Sequence, residues 1–171
     1  ERHVAIKIPR PDRAMVPGFA ERFVDEARKV AQLRHPGIVP VYDVGREGAW
    51  CYIVSELIDG ENLAQRLARG RPTWQEAAQI VAAVAERLDY AHREGLIHRD
   101  VKPSNILLGK DGSVYLADFG IAATREELQE EGPNTSGTLL FMSPEQVRGR
   151  AMDARSDIYS LGVVLYELLA G

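Results

Sequence analysis

Asp111-Gly112, set between the apolar runs Ile106-Leu107-Leu108 and Val114-Tyr115-Leu116, constrains the fold of this chain more than any other local feature. The pair is a strong hairpin signal, because both central positions of the favoured two-residue turn require positive φ, which Asp and Gly tolerate. A turn centred on these two residues zips the flanking runs together and sets Asn105 opposite Asp118 at the open end of the ladder. Directly opposed residues have Cα atoms only about 4.5–5.5 Å apart. An amide oxygen and a carboxylate converging at that range suit a hard cation such as Mg²⁺, which takes oxygen ligands and keeps several waters. Read alone, the same two residues serve equally well as turn and strand-end groups that hydrogen-bond locally.

The neighbours tip the balance. His98-Arg99-Asp100 lies just before Asn105, Lys102 lies between them, and Phe119-Gly120 follows Asp118. A second carboxylate and a cation beside two oxygen ligands are the parts of a phosphoryl-transfer centre, where catalysis is mostly positioning and neutralisation of charge.

The rest of the chain reads as β-α-β-β followed by helices. Residues 3–8 alternate like a strand that Pro9 and Pro11 end. Gly18 to Arg34 reads as a helix stopped by His35-Pro36-Gly37, and two β-rich runs, Ile38–Val44 and Ala49–Val54, are joined by residues 45–48. From Asp59-Gly60 onward the pattern turns helical. Glu61–Arg69 is a short helix, and Thr73-Trp74-Gln75-Glu76 is a capping box in which hydroxyl and carboxylate satisfy orphan amides reciprocally. The helix behind that box puts Ala77, Ile80, Val81, Val84, Leu88 and Ala91 on one face, with Gly95 where a C′ glycine belongs. Asp157–Ala170 is a further apolar helix. The acidic run Glu126–Glu131 reads as a solvated loop or short helix.

Composition bounds the partners. With 21 Lys+Arg against 25 Asp+Glu, a net charge of −4 and a pI near 5.6, the chain lacks the basic surface of a sequence-independent nucleic-acid binder. A lone cysteine, Cys51, makes neither an internal disulfide nor a Cys-based zinc site, which points to a reducing compartment. The longest apolar stretch, Leu161–Ala170, is about half a membrane span and is interrupted by Glu167. Both ends read as cut: the chain starts in a strand and stops in an apolar helix that needs partners.

His98-Arg99-Asp100-Val101-Lys102-Pro103-Ser104-Asn105 and Asp118-Phe119-Gly120 resemble the catalytic loop and metal-binding motif of protein kinases. Val4-Ala5-Ile6-Lys7 resembles the strand carrying the phosphate-binding lysine, and Ser143-Pro144-Glu145 is a variant of the Ala-Pro-Glu motif. The four motifs stand in the family's order and cover essentially the whole chain. Lys102 two residues after Asp100, with Gly137-Thr138, is similar to the serine/threonine type. Residues 134–146 and 156–162 resemble its bacterial branch.

The resemblance implies an α+β, two-lobed fold, present in part. Residues 1–58 would be the remainder of a small β-rich lobe with one helix, plus the hinge. Residues 59–171 would be the first part of a larger, mostly helical lobe, with the activation segment at 118–145. It implies an ATP-dependent protein serine/threonine kinase using Mg²⁺ and acting on protein Ser/Thr hydroxyls, on the cytoplasmic side where ATP is supplied. Asp100 would accept or orient the hydroxyl proton and Lys102 would stabilise the transferring phosphoryl. Asn105 and Asp118 would hold Mg²⁺. Lys7 would grip the ATP phosphates and pair with Glu26, whose alternative is a local pair with Arg22 or Lys29. Only four of the 21 basic residues are Lys, yet two of them stand at positions 7 and 102, where a compact point charge is needed. Ala5 and Leu107 would sandwich the adenine, whose edge would meet the Glu56 carbonyl and the Ile58 N–H. Ser55 would guard the back of that pocket, leaving room for bulky analogues. His98 would pack with Val30, Val41 and Phe119 in an internal stack, and Asp157 would anchor the backbone around Arg99.

Arg99 also implies an activation segment ordered by phosphorylation, with Thr135 or Ser136 favoured over Thr124 as acceptor, and Thr138 shaping the substrate loop. No glycine-rich phosphate loop precedes Val4 and nothing follows Gly171, so the 171-residue piece is expected to be inactive by itself. A small-molecule phosphotransferase and a non-catalytic kinase-like binding module are the alternatives. The Ser143-Pro144-Glu145 motif counts against the first, and the joint presence of Lys7, Asp100, Asn105 and Asp118 against the second.

Overall fold

The computed structural model describes residues 2–11, 16–48, 50–120 and 139–171. Its first sheet is antiparallel, in the order β1-β3-β2, from strands Val4–Lys7 (β1), Val41–Glu47 (β2) and Trp50–Glu56 (β3). The central β3 pairs Ala5 with Ser55 and Lys7 with Ile53, so β1 carries Lys7 along the strand that also leads to residues 55–58. β2 lies three residues further along than the apolar run alone suggests and β3 one to two, and Gly48, at φ 57°, takes the left-handed turn position between them. Helix α1, Phe19–Val30, covers the sheet and buries Phe19, Phe23 and Ala27 against Cys51 and Ile53. It ends earlier than its periodicity implies: residues 31–32 continue as a turn and the Arg34 N–H donates to the Tyr90 hydroxyl.

The second lobe is built on helices. Leu63–Arg69 (α2) and Trp74–Arg93 (α3) each begin with a capping box, Asn62 with Gln65 and Thr73 with Glu76. Thr73 Oγ1 accepts from the Glu76 N–H at 3.2 Å while the Glu76 carboxylate accepts from the Thr73 N–H at 2.7 Å. α3 buries Ala77, Val84, Leu88 and Ala91 and ends at Gly95, whose φ of 77° is the left-handed value that C′ glycine supplies. Two further helices, Pro144–Val147 (α4) and Ala154–Leu169 (α5), follow, and α5 packs on α3 through Leu161, Val164 and Leu168. The large core also takes in Val30, Leu33 and Ile38, so the end of the small-lobe helix and its following turn are rooted in it.

A second small sheet, β4-β5-β6, lies over this core, with strands Gly60–Asn62, Ile106–Gly109 and Val114–Leu116. The β5–β6 hairpin departs from the sequence expectation by one residue. Ile106 pairs with Leu116 and Leu108 with Val114, and Gly109 N–H donates to Ser113 O, so the loop contains three residues, Lys110, Asp111 and Gly112. Gly112 N–H closes back on Gly109 O and takes φ 84°, a turn followed by a left-handed residue, which is the usual three-residue solution. Asp111 accepts from the Ser113 N–H at 2.9 Å instead of sitting in the centre of a two-residue turn. Asn105 therefore lies across from Ala117, whose N–H donates to Asn105 O, and not from Asp118. Among the described residues no helix is long and apolar enough to cross a membrane.

Candidate active site

The residues singled out by motif converge between the two lobes. Residues 94–105, between α3 and β5, form a loop pinned from three sides. Asp157, in the first turn of α5 and 1% exposed, accepts from the N–H groups of His98 and Arg99, both at 2.8 Å, and from His92 Nε2 at 2.7 Å. Its anchoring role is as expected, and His92 is a further support that the motifs did not reveal. His98 is fully buried, with its ring 4.5 Å from that of Phe119. Its Nδ1 accepts from the Asp100 N–H and its Nε2 faces Ala117 O at 2.9 Å, an arrangement that a neutral ring protonated on Nε2 satisfies. Burial accordingly pushes the His98 imidazole below the ordinary value of 6.5, against the pull of Asp157 and other acceptors.

This scaffold presents Asp100, Lys102 and Asn105 as one network. Lys102 Nζ lies 2.9 Å from Asp100 Oδ2, and Asn105 Nδ2 donates to both Asp100 O (2.8 Å) and Asp100 Oδ2 (2.9 Å). Because both bonds use the amide nitrogen, the orientation of Asn105 is fixed and its Oδ1 remains on the acceptor side. Asp118 stands at φ 55° with a half-exposed carboxylate. An amide oxygen and a carboxylate are the oxygen donors that Mg²⁺ takes. No group of three or more His, Cys, Asp or Glu side chains able to hold a metal occurs among the described residues.

Lys7 and Glu26 are both at this site but not with each other. Lys7 Nζ is 3.0 Å from Asp118 Oδ1, whereas Glu26 Oε1 is 2.7 Å from Arg99 Nη1. In place of the expected Lys7–Glu26 pair, the structure has two crossed pairs, Lys7 with Asp118 and Arg99 with Glu26. Glu26 reaches Arg99, 73 positions away, rather than the local alternatives Arg22 and Lys29.

An open cleft runs beside Asp118 and is lined by Ala5, Ser55, Glu56, Ile58 and Leu107. All five were expected at an adenine pocket, with Ala5 on one wall and Leu107 on the other. Thr124, the 126–131 acidic run, Thr135, Ser136, Gly137 and Thr138 lie outside the described residues.

Residues 1–171 match the family model described as the protein kinase domain. The chain is 44% identical over 178 residues to the serine/threonine-protein kinase PknB of Mycolicibacterium smegmatis, covering 99% of this chain and 28% of that protein. A probable serine/threonine-protein kinase PknB of Corynebacterium glutamicum is likewise 44% identical, with the same coverage of 99% and 28%. Among solved structures, the Mycobacterium tuberculosis PknI kinase domain superposes with a TM-score of 0.82 at 35% identity, covering 98% of this chain and 63% of that one. The chain spans little more than a quarter of the length of the curated relatives it matches.

Proposed function

The chain belongs to the protein kinase family, and on that premise we propose that it is the catalytic portion of an ATP-dependent protein serine/threonine kinase. The observation that carries this reading is the Asp100–Lys102–Asn105 network, together with the half-exposed Asp118 carboxylate, which lines the cleft and pairs with Lys7. A carboxylate held by a lysine and an amide can orient a substrate hydroxyl and take its proton, while the lysine neutralises charge on the transferred phosphoryl. Asn105 Oδ1 and the Asp118 carboxylate would hold Mg²⁺, which supplies neutralisation of the ATP phosphates. Lys7 would grip those phosphates. Its ammonium carries three N–H donors, so the 3.0 Å contact with Asp118 leaves donors for a phosphate oxygen.

The adenine ring would lie between Ala5 and Leu107, with Glu56 O and Ile58 N–H at its edge. The serine/threonine preference rests on the relatives and on Lys102, and ATP supply puts the domain on the cytoplasmic side. The test is phosphate transfer from labelled ATP with Mg²⁺ to a mixed Ser/Thr-containing protein substrate by the intact kinase, compared with Asp100→Asn. A loss of about 10²–10⁴-fold in kcat is expected, the usual share of a general base. Equal rates for the two proteins would refute Asp100 as the base, and transfer only to tyrosine or a small molecule would refute the substrate class.

A further inference from the structure

Arg99 stands at φ 68°, a left-handed conformation that costs a residue with a Cβ and persists only where its surroundings hold it. Its N–H is held by Asp157 and its side chain by Glu26. Its carbonyl is held by a residue outside every recognised motif role. Gln146 Nε2 donates to Arg99 O at 2.8 Å, across 47 residues of sequence. That carbonyl belongs to the peptide whose N–H is Asp100's, and the Asp100 N–H donates to His98 Nδ1 at 3.2 Å. The Arg99–Asp100 peptide plane is therefore fixed at both ends, at its oxygen by Gln146 and at its N–H by His98. The orientation of that plane decides where the Asp100 carboxylate points.

Gln146 is itself committed. It is 7% exposed, and its Oε1 accepts from the Ser143 N–H at 3.1 Å while Ser143, fully buried, caps the first turn of α4. One end of the carboxamide meets a carbonyl and the other an N–H, so neither a flipped amide nor an ionised carboxylate satisfies both. The same side chain thus connects the start of α4 with the catalytic loop.

We propose that Gln146 is a positioning residue for phosphotransfer, setting the Arg99–Asp100 peptide and through it the Asp100 carboxylate. The proposal rests on the kinase reading above. Its test uses the intact kinase as wild type, Gln146→Met and Gln146→Glu, well below the lowest unfolding midpoint of the three. Met keeps the volume without the donor. Glu keeps the shape but sets an oxygen against Arg99 O. Both variants are expected to lower kcat by about 10- to 100-fold, the scale of a small misplacement of a reacting group, with KM for ATP within about twofold of wild type.

Backbone hydrogen exchange supplies a second readout, with faster exchange expected at residues 98–101 in both variants and unchanged exchange in α3. Wild-type kcat in both variants, with only a lower unfolding midpoint, would make Gln146 a structural residue and overturn the proposal. Unchanged exchange at 98–101 would overturn it as well. A wild-type protein that transfers no phosphate would sink the kinase reading, while the exchange rates would still decide whether Gln146 holds the loop.

Discussion

Replacing Asp157 by alanine removes the acceptor for two buried backbone N–H groups, those of His98 and Arg99, and the partner of His92 Nε2. Each stranded buried N–H costs about 1–3 kcal/mol, because it has given up water and gains no replacement. The lost His92 contact adds about 1 kcal/mol, a typical net hydrogen bond. Against this, Arg99 is freed to leave φ 68°, which returns about 1–2 kcal/mol of backbone strain. The net loss is about 3 kcal/mol, a large part of a total stability of roughly 5–15 kcal/mol. Asp157→Asn keeps one oxygen but turns an NH₂ toward the other backbone donor, so about half the loss is expected. Urea unfolding of the intact kinase, followed by far-UV circular dichroism, measures both, provided the slope with denaturant is unchanged between proteins. A thermal midpoint lower by roughly 6–12 °C for Asp157→Ala corresponds to the same figure in a domain of this size. A change below about 1 kcal/mol for Asp157→Ala would refute the reasoning, since it would mean that the loop satisfies its donors without α5.

Two further expectations concern His98 and Ser55. Folding holds the His98 imidazole below its ordinary value of 6.5 by burial, so its contribution to stability is complete above that value and is lost as pH falls through the lower folded-state value. The urea midpoint of wild type should drop between pH 7.5 and pH 5, and His98→Gln should lose that part of the slope; parallel profiles would count against it. Ser55 lines the cleft, so a bulky N6-substituted ATP analogue should be accepted, with Ser55→Met raising its KM at least about 10-fold while ATP is little affected. Equal KM values for the analogue on both proteins would remove Ser55 as the determinant.

The parts of this fold that were legible in the sequence are those written by local chemistry. Thr73 and Glu76 announce the start of α3 because hydroxyl and carboxylate serve orphan amides only at that spacing. The catalytic-loop residues are legible because they are contiguous. The hairpin register was not, because Asp-Gly fits two turns: the central pair of a two-residue loop or the last two positions of a three-residue one. That one-residue difference moves Asn105 from Asp118 to Ala117. β4 escaped notice because Gly60-Glu61-Asn62 has no apolar alternation and is a strand only by virtue of pairing with β5. The Arg99 partner of Glu26 was beyond reach for another reason. The two are 73 positions apart, and their meeting is decided by the pose of a whole helix. Gln146 lay in a stretch legible only as a resemblance, and its role was not, since it depends on a contact with a residue 47 positions away.

That helix pose follows from where α1 is rooted. Val30 and Leu33, at and just past its end, belong to the large-lobe core, whereas Phe19 and Phe23 belong to the small-lobe core. With a rise of about 1.5 Å per residue, Glu26 sits only about 6 Å from the Val30 fulcrum and Phe19 about 16 Å from it. A swing of α1 that carried Glu26 by about 1.5 Å would carry Phe19 by about 4 Å, taking Cys51, Ile53 and the rest of the sheet with it. Exchanging the partner of one carboxylate is therefore a lever problem: the short arm ends at Glu26 and the long arm moves the sheet above the cleft.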